Sequence, residues 1–168
     1  MKSDKAITYA HIQRNACLSI DTTILTPIGY KNITTLKEDD YVVTSNLKKS
    51  QIKKIINYSC YPSKQNNPYI IKKGQIAINY PPDNIKLSGG HAIKYKDNWI
   101  LPKLFPKFKQ DNFQRVIQYY HIELENYITD HLVINNGSIV ESFGDLRNEL
   151  YLNKRIKRTK LNVNKKLI

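Results

Sequence analysis

Residues 15–30 read NACLSIDTTILTPIGY, a cysteine set just ahead of a run that alternates threonine with aliphatic residues. Cys17 and Cys60 are the two cysteines of the chain. Two thiols with no secretory leader argue against a disulfide framework. Cys17 is therefore either available for chemistry or a small buried core residue. The reactive species is the thiolate, so chemistry at Cys17 requires a neighbouring base or cation. His91 lies in LSGGHAIKY, three residues after Ser88; His121 and His131 lie in YYHIELENYITDH, where Asp130 precedes the second. Cysteine and histidine are also zinc ligands, but no C-x-x-C or H-x3-H spacing supports a metal site here. No metal and no cofactor is expected. Cys60 falls in YSCYPSKQNNP, which reads as a loop from its Pro, Asn and Ser content, and is assigned no role.

These side chains are far apart in sequence, so strands must bring them together. Cys17–Asp21 opens a β pattern, Thr22–Thr26 continues it with β-branched residues, and Pro27–Tyr30 turns. Residues 31–36 read as half-buried, 41–45 as a strand, 46–56 as a further strand or hairpin, and 58–68 as a loop. Strand signals resume at 69–71, 76–78 and 85–87. Residues 91–95 and 98–101 read as a hairpin around Lys96 and Asp97; Pro102 and Pro106 bracket an irregular or helical piece. Val116–Leu124 alternates over a long run and reads as one of the best strands. Leu132–Ile134 and Ser138–Val140 flank Asn135-Asn136-Gly137, and Asn-Gly is a strong hairpin signal. No internal repeat is evident. Many short strands make the body mainly β, with a barrel-like or sandwich architecture.

The chain's 168 residues suffice for one domain and a tail, and the 40% that are apolar are ample for one core. The longest apolar stretches, as around Ile55-Ile56, last a few residues, far short of the roughly 18 a membrane span needs. The opening MKSDKAITYAHIQRN has no apolar h-region, so a soluble protein made in the cytosol is expected. The formal charge is +13, and lysine far outnumbers arginine. With abundant Asn, Ile and Tyr, this is the style of an AT-rich genome, a habit of giant viruses and some protists. The charge nonetheless favours polyanionic partners. After Glu149 no acid appears while lysine and arginine accumulate, with one helix expected around 144–157. The organisation expected is a short arm at 1–16, a β domain at 17–142 and a basic tail at 143–168.

Three blocks of the sequence resemble the Hint superfamily, the domains shared by inteins and hedgehog autoprocessing proteins. CLSIDTTILTPIGYKNITTLKEDDYVVTSN resembles the family's first block: a first-position cysteine, a glycine turn, then an "I..L..GD.V" step with Asp39 in place of its glycine. LSGGHAIKY is similar to the second block, a Thr or Ser three residues before a histidine, here Ser88 and His91. YYHIELENYITDHLVINNGSIVES resembles the late block, carrying His121, His131 and Asn136-Gly137. The blocks stand in the family's order over 17–142, about three-quarters of the chain. The resemblance implies a Hint-type horseshoe of β-strands.

It also implies chemistry. In the family the first cysteine attacks the peptide bond ahead of it, here Ala16–Cys17, and an N-to-S acyl shift gives a thioester. His91 would protonate the leaving nitrogen and Ser88 would hold the same peptide. His121 and His131 would raise the thiolate fraction of Cys17, with Asp130 as an orienter. Water or another nucleophile would then release residues 1–16. Splicing is not expected: it needs a terminal His-Asn followed by Cys, Ser or Thr, and the matching segment is Glu141-Ser142-Phe143. Sterol transfer needs a further recognition region and a secreted context, and neither is visible.

The alternative is a Hint fold kept as a structural or interaction module, a reading favoured by the 16-residue length of the segment ahead of Cys17. The basic tail would then contact acidic protein surfaces, other subunits of a large assembly such as a virus particle, or phosphate without reading sequence.

Overall fold

The computed structural model describes residues 17–112, 115–127 and 129–142. The arm at 1–16, the tail at 143–168 and the helix expected within it lie outside the described residues. The described strands, in chain order, are β1 (Leu18–Ser19), β2 (Thr23–Thr26), β3 (Gly29–Asn32), β4 (Tyr41–Val43), β5 (Lys49–Cys60), β6 (Tyr69–Ile71), β7 (Ile85–Leu87), β8 (Ile93–Tyr95), β9 (Asn98–Ile100), β10 (Lys109–Gln110), β11 (Ile117–Leu124), β12 (His131–Ile134) and β13 (Ser138–Glu141). They form two sheets, ordered β10-β6-β7-β1-β11-β5-β4 and β3-β2-β12-β13-β8-β9, with antiparallel pairing throughout. The fold is mainly β, and short 3-10 turns at Ile33–Thr35 and Pro102–Leu104 are its helical elements among the described residues.

The main core lies between the sheets and is aliphatic: Leu18, Ile24, Ile52, Ile85, Leu87, Ile93, Ile122, Leu124, Leu132 and Val140 are all buried in it. A smaller cluster of Cys17, Tyr58, Ile117 and Tyr119 forms apart from it. Strand alternation explains the division, because neighbours along a strand point to opposite faces. Leu18 turns into the main core, so Cys17 turns away from it. The β5–β11 ladder then builds both clusters. Its register runs from Ile117↔Cys60 to Glu123↔Lys54, then steps to Leu124↔Ile52. Lys53 is the extra residue of a bulge, which reverses the facing of the strand. Ile52 and Ile55 therefore both meet the main core, while Ile56, Tyr58 and Cys60 pack around Cys17.

Several local readings need correction. Residues 58–60 are not a loop: β5 continues through Tyr58 to Cys60 because β11 pairs with it along that whole length. Residues 76–78 are not a strand: Ala77 and Tyr80 exchange backbone hydrogen bonds around a tight turn, with Ile78 92% exposed and Asn79 at φ 62°. The strand expected at Leu132–Ile134 begins one residue earlier, so His131 opens β12. In the β12–β13 turn the left-handed positions fall on Asn135 (φ 43°) and Asn136 (φ 66°), ahead of Gly137. Asp39, standing where the Hint pattern carries glycine, adopts φ 73°, a conformation Asp tolerates better than most residues.

Candidate active site around Cys17

β1 threads between β7 and β11, with Leu18 opposite Leu87 on one side and Tyr120 on the other. The same pairing extends one residue back to Cys17, whose carbonyl accepts from Ser88 N–H at 3.0 Å. The Cys17 N–H, the nitrogen of the Ala16–Cys17 peptide, donates to Ser88 Oγ at 3.1 Å. Ser88 thus grips the residue at two points, backbone and hydroxyl. The chain turns directly after it, and His91 N–H donates back to Ser88 O at 3.0 Å. Gly89 lets this turn pack closely: a Cβ there would lie 2.7 Å from the Tyr69 ring and 3.0 Å from Lys103 Cβ.

The Cys17 side chain is 1% exposed. Its sulfur lies 2.9 Å from Tyr58 Oη and 3.4 Å from His121 Nε2. Continuing the β1–β11 register places Cys17 beside His121, and the β11–β5 register places Tyr119 opposite Tyr58. The Tyr58 and His121 rings stack at 5.6 Å with 12° between their planes, so both polar ends reach one sulfur. Tyr119 adds a wall, its hydroxyl donating to Asn66 O at 2.6 Å. Burial, with Cys17 nearby, pushes both phenols well above the ordinary tyrosine range. They stay neutral wherever a thiolate is useful.

His91 is buried at the end of the other sheet. Its Nε2 lies 2.9 Å from Glu141 O, and a carbonyl only accepts, so Nε2 carries the hydrogen. Glu141 is buried as well: its carboxylate accepts from Ala92 N–H at 3.2 Å, and its own N–H donates to Ala92 O at 3.2 Å. Between Cys17 and His91 run two backbone hydrogen bonds through Ser88. The hydrogen bond on the Cys17 nitrogen goes to Ser88, and that of His91 Nε2 to Glu141.

His131 stands opposite Glu141 in the β12–β13 ladder, its ring edge-on to Trp99 at 4.7 Å. Asp130 Oδ2 accepts from Ser50 Oγ at 2.8 Å. Ser142 Oγ lies 2.9 Å from Asp130 O and 3.1 Å from Tyr127 O. Of the five residues singled out in the sequence, Cys17, Ser88 and His121 share direct contacts. His91 joins through the Ser88 turn, and His131 packs on Trp99. Tyr58, whose hydroxyl lies 2.9 Å from the sulfur, was missed. Reading YSCYP as a loop hid it, although β5 alternation carried past Asn57 would have placed it on the Cys17 face. Among the described residues no group of three or more His, Cys, Asp or Glu side chains is arranged to hold a metal ion, and no helix is long and apolar enough to cross a membrane.

No family model and no curated protein matches the sequence. Solved structures do match the fold. The bacterial intein-like domain from Clostridium thermocellum superposes with a TM-score of 0.58 at 14% identity, covering 75% of this chain and 98% of that one. A DnaB intein from Synechocystis sp. PCC 6803 gives 0.56 at 12% identity, covering 77% and 100%. The gp41-1 intein with three substitutions gives 0.54 at 14% identity, covering 77% and 100%. With its two antiparallel sheets and a cysteine at the head of the first strand, the described chain carries the Hint-type fold of the inteins.

Proposed function

We propose that this chain is a self-cleaving Hint-fold domain that breaks its own Ala16–Cys17 bond through a thioester. His121 Nε2 takes the proton of the Cys17 thiol. The sulfur attacks the Ala16 carbonyl carbon and forms the C–S bond. The C–N bond then breaks, and the Cys17 nitrogen leaves as an amine, taking a proton from an imidazole acting as general acid. His91 fits that role by its motif, and with Nε2–H committed to Glu141 its Nδ1 is the atom that would carry the proton. Ser88 Oγ keeps the departing nitrogen oriented. Water then hydrolyses the thioester and frees residues 1–16. The observation that carries this reading is the placement of a base on the sulfur and a hydroxyl on the nitrogen of one residue.

The fragment masses test it. Full-length protein incubated with a small thiol should lose residues 1–16, and Cys17→Ala should abolish the loss. An intact mass that persists through long incubation would rule the activity out.

A second reading is a non-catalytic module docking through residues 143–168, onto acidic protein surfaces or a polyanion. It is favoured by the absence of any acid after Glu149 and by the +13 charge. Truncation after Glu149 should weaken binding to an immobilised polyanion, and salt should weaken it further. Indifference to the truncation would end that idea.

A further inference from the structure

We propose that Tyr58 is a second catalytic residue on the Cys17 sulfur, donating its phenolic hydrogen to the thiolate that attacks the Ala16 carbonyl. The proposal rests on the reading of Cys17 as a nucleophile. Its geometric basis is the 2.9 Å approach of Tyr58 Oη to Sγ, with His121 Nε2 at 3.4 Å on the same atom. Two groups on one sulfur divide the roles by their chemistry. The imidazole is the stronger base and receives the thiol hydrogen. The phenol then has the sulfur as its acceptor. The stacking of the two rings fixes this arrangement, since neither polar end moves without sliding its ring across the other.

The titratable and polar groups on this face include Tyr58 and Cys60 from β5, Tyr119 and His121 from β11 with Glu123 two residues further along the same face, and the Ser88 hydroxyl after β7. Burial raises the Cys60 thiol as it raises both phenols, so none of these three groups adds an anion beside the sulfur at neutral pH. A thiolate there has a neutral O–H to lean on, and hydrogen bonds to an anion are about twice as strong as neutral ones. Protons balance without consuming the phenol. His121 takes the thiol proton, the C–S bond forms as the C–N bond breaks, and the leaving nitrogen is protonated by an imidazole. Tyr58 keeps its hydrogen throughout.

The test titrates Cys17 directly, by the carbon-13 shift of its labelled β-carbon in a Cys60→Ser parent, alongside the rate of release of residues 1–16. Tyr58→Phe should raise the Cys17 midpoint by about one to two pH units and slow release by about tenfold to a hundredfold. Tyr119→Phe, whose hydroxyl donates to Asn66 O, should move both far less than Tyr58→Phe does. Should Tyr58→Phe fail to fold, a ring-fluorinated tyrosine at position 58, a stronger donor, should lower the midpoint. A midpoint indifferent to either change overturns the proposal. Release unaffected by Tyr58→Phe ends the catalytic role alone. A Tyr58-dependent midpoint with no release in the parent ends the cleavage reading and the catalytic role together.

Discussion

His91 Nε2 donates to the carbonyl oxygen of Glu141 at 2.9 Å, across 50 positions of sequence. That bond ties the turn holding Ser88, and through it Cys17, to the last described strand. The imidazole thereby has its Nε2 fixed by structure.

Replacing His91 separates this structural duty from the proposed general-acid role. His91→Ala leaves a buried carbonyl without its donor and should cost about 1–3 kcal/mol in urea unfolding. It should also slow release of residues 1–16 by about 10² to 10⁴. His91→Gln restores a donor to Glu141 and should recover most of the stability but not the rate. A Gln variant that cleaves as fast as the parent would assign His91 a structural role only.

The buried phenols predict how stability depends on pH. Burial pushes the pKa of Tyr58, Tyr119 and Tyr80 above the ordinary tyrosine value in the folded chain. Above pH 10, roughly the unfolded tyrosine value, the unfolded chain binds fewer protons than the folded one, so stability falls as pH rises. Stability should be level with respect to these groups below pH ~10. Above it each fully buried phenol contributes a decline of about 1.4 kcal/mol per pH unit. Denaturant midpoints at stepped pH read the slope, and Tyr58→Phe should make it shallower. An identical slope in the variant would mean the Tyr58 hydroxyl ionises freely in the fold.

Gly89→Ala probes the turn rather than the chemistry. The new methyl would meet the Tyr69 ring at 2.7 Å. Either the ring or the Ser88–His91 turn must shift, at about 1–3 kcal/mol. Release should slow because Ser88 Oγ moves off the Cys17 nitrogen. Full activity with lowered stability would show that Tyr69 absorbs the strain.

The resemblance to inteins puts Glu141 and Ser142 where splicing would need His-Asn. Glu141→His combined with Ser142→Asn supplies a side-chain amide able to cyclise against the following bond. The double variant should release residues 143–168 as a separate fragment, visible by mass, while the parent does not. A double variant that folds and stays intact at this end would mean more than these two residues is missing.

The β class was legible because threonine and isoleucine alternate so openly in Thr22–Thr26 and Val116–Leu124. The Hint-type fold was legible because Cys17, the Ser88–His91 spacing and the Asn-Gly turn stand in one order, and chain order constrains topology. The strand through Tyr58 was not legible. Pro62 and the Asn-rich run after it suggested a loop, but β11 offered a full ladder of partners and held β5 extended to Cys60. The error at 76–78 has the opposite origin. Two isoleucines looked like a strand, yet among the described residues no strand pairs with them, and Ile78 faces solvent.

By itself the sequence determined which residue types were present and which spacings were local: a serine three positions before a histidine, a cysteine ahead of a strand. Tertiary structure alone decided what touches the sulfur. Cys17 meets Tyr58 and His121 across strands 41 and 104 positions away. The Tyr58 contact depends on the facing of β5 beyond the bulge at Lys53, and both contacts depend on the order of β1, β11 and β5, which only the assembled sheet decides.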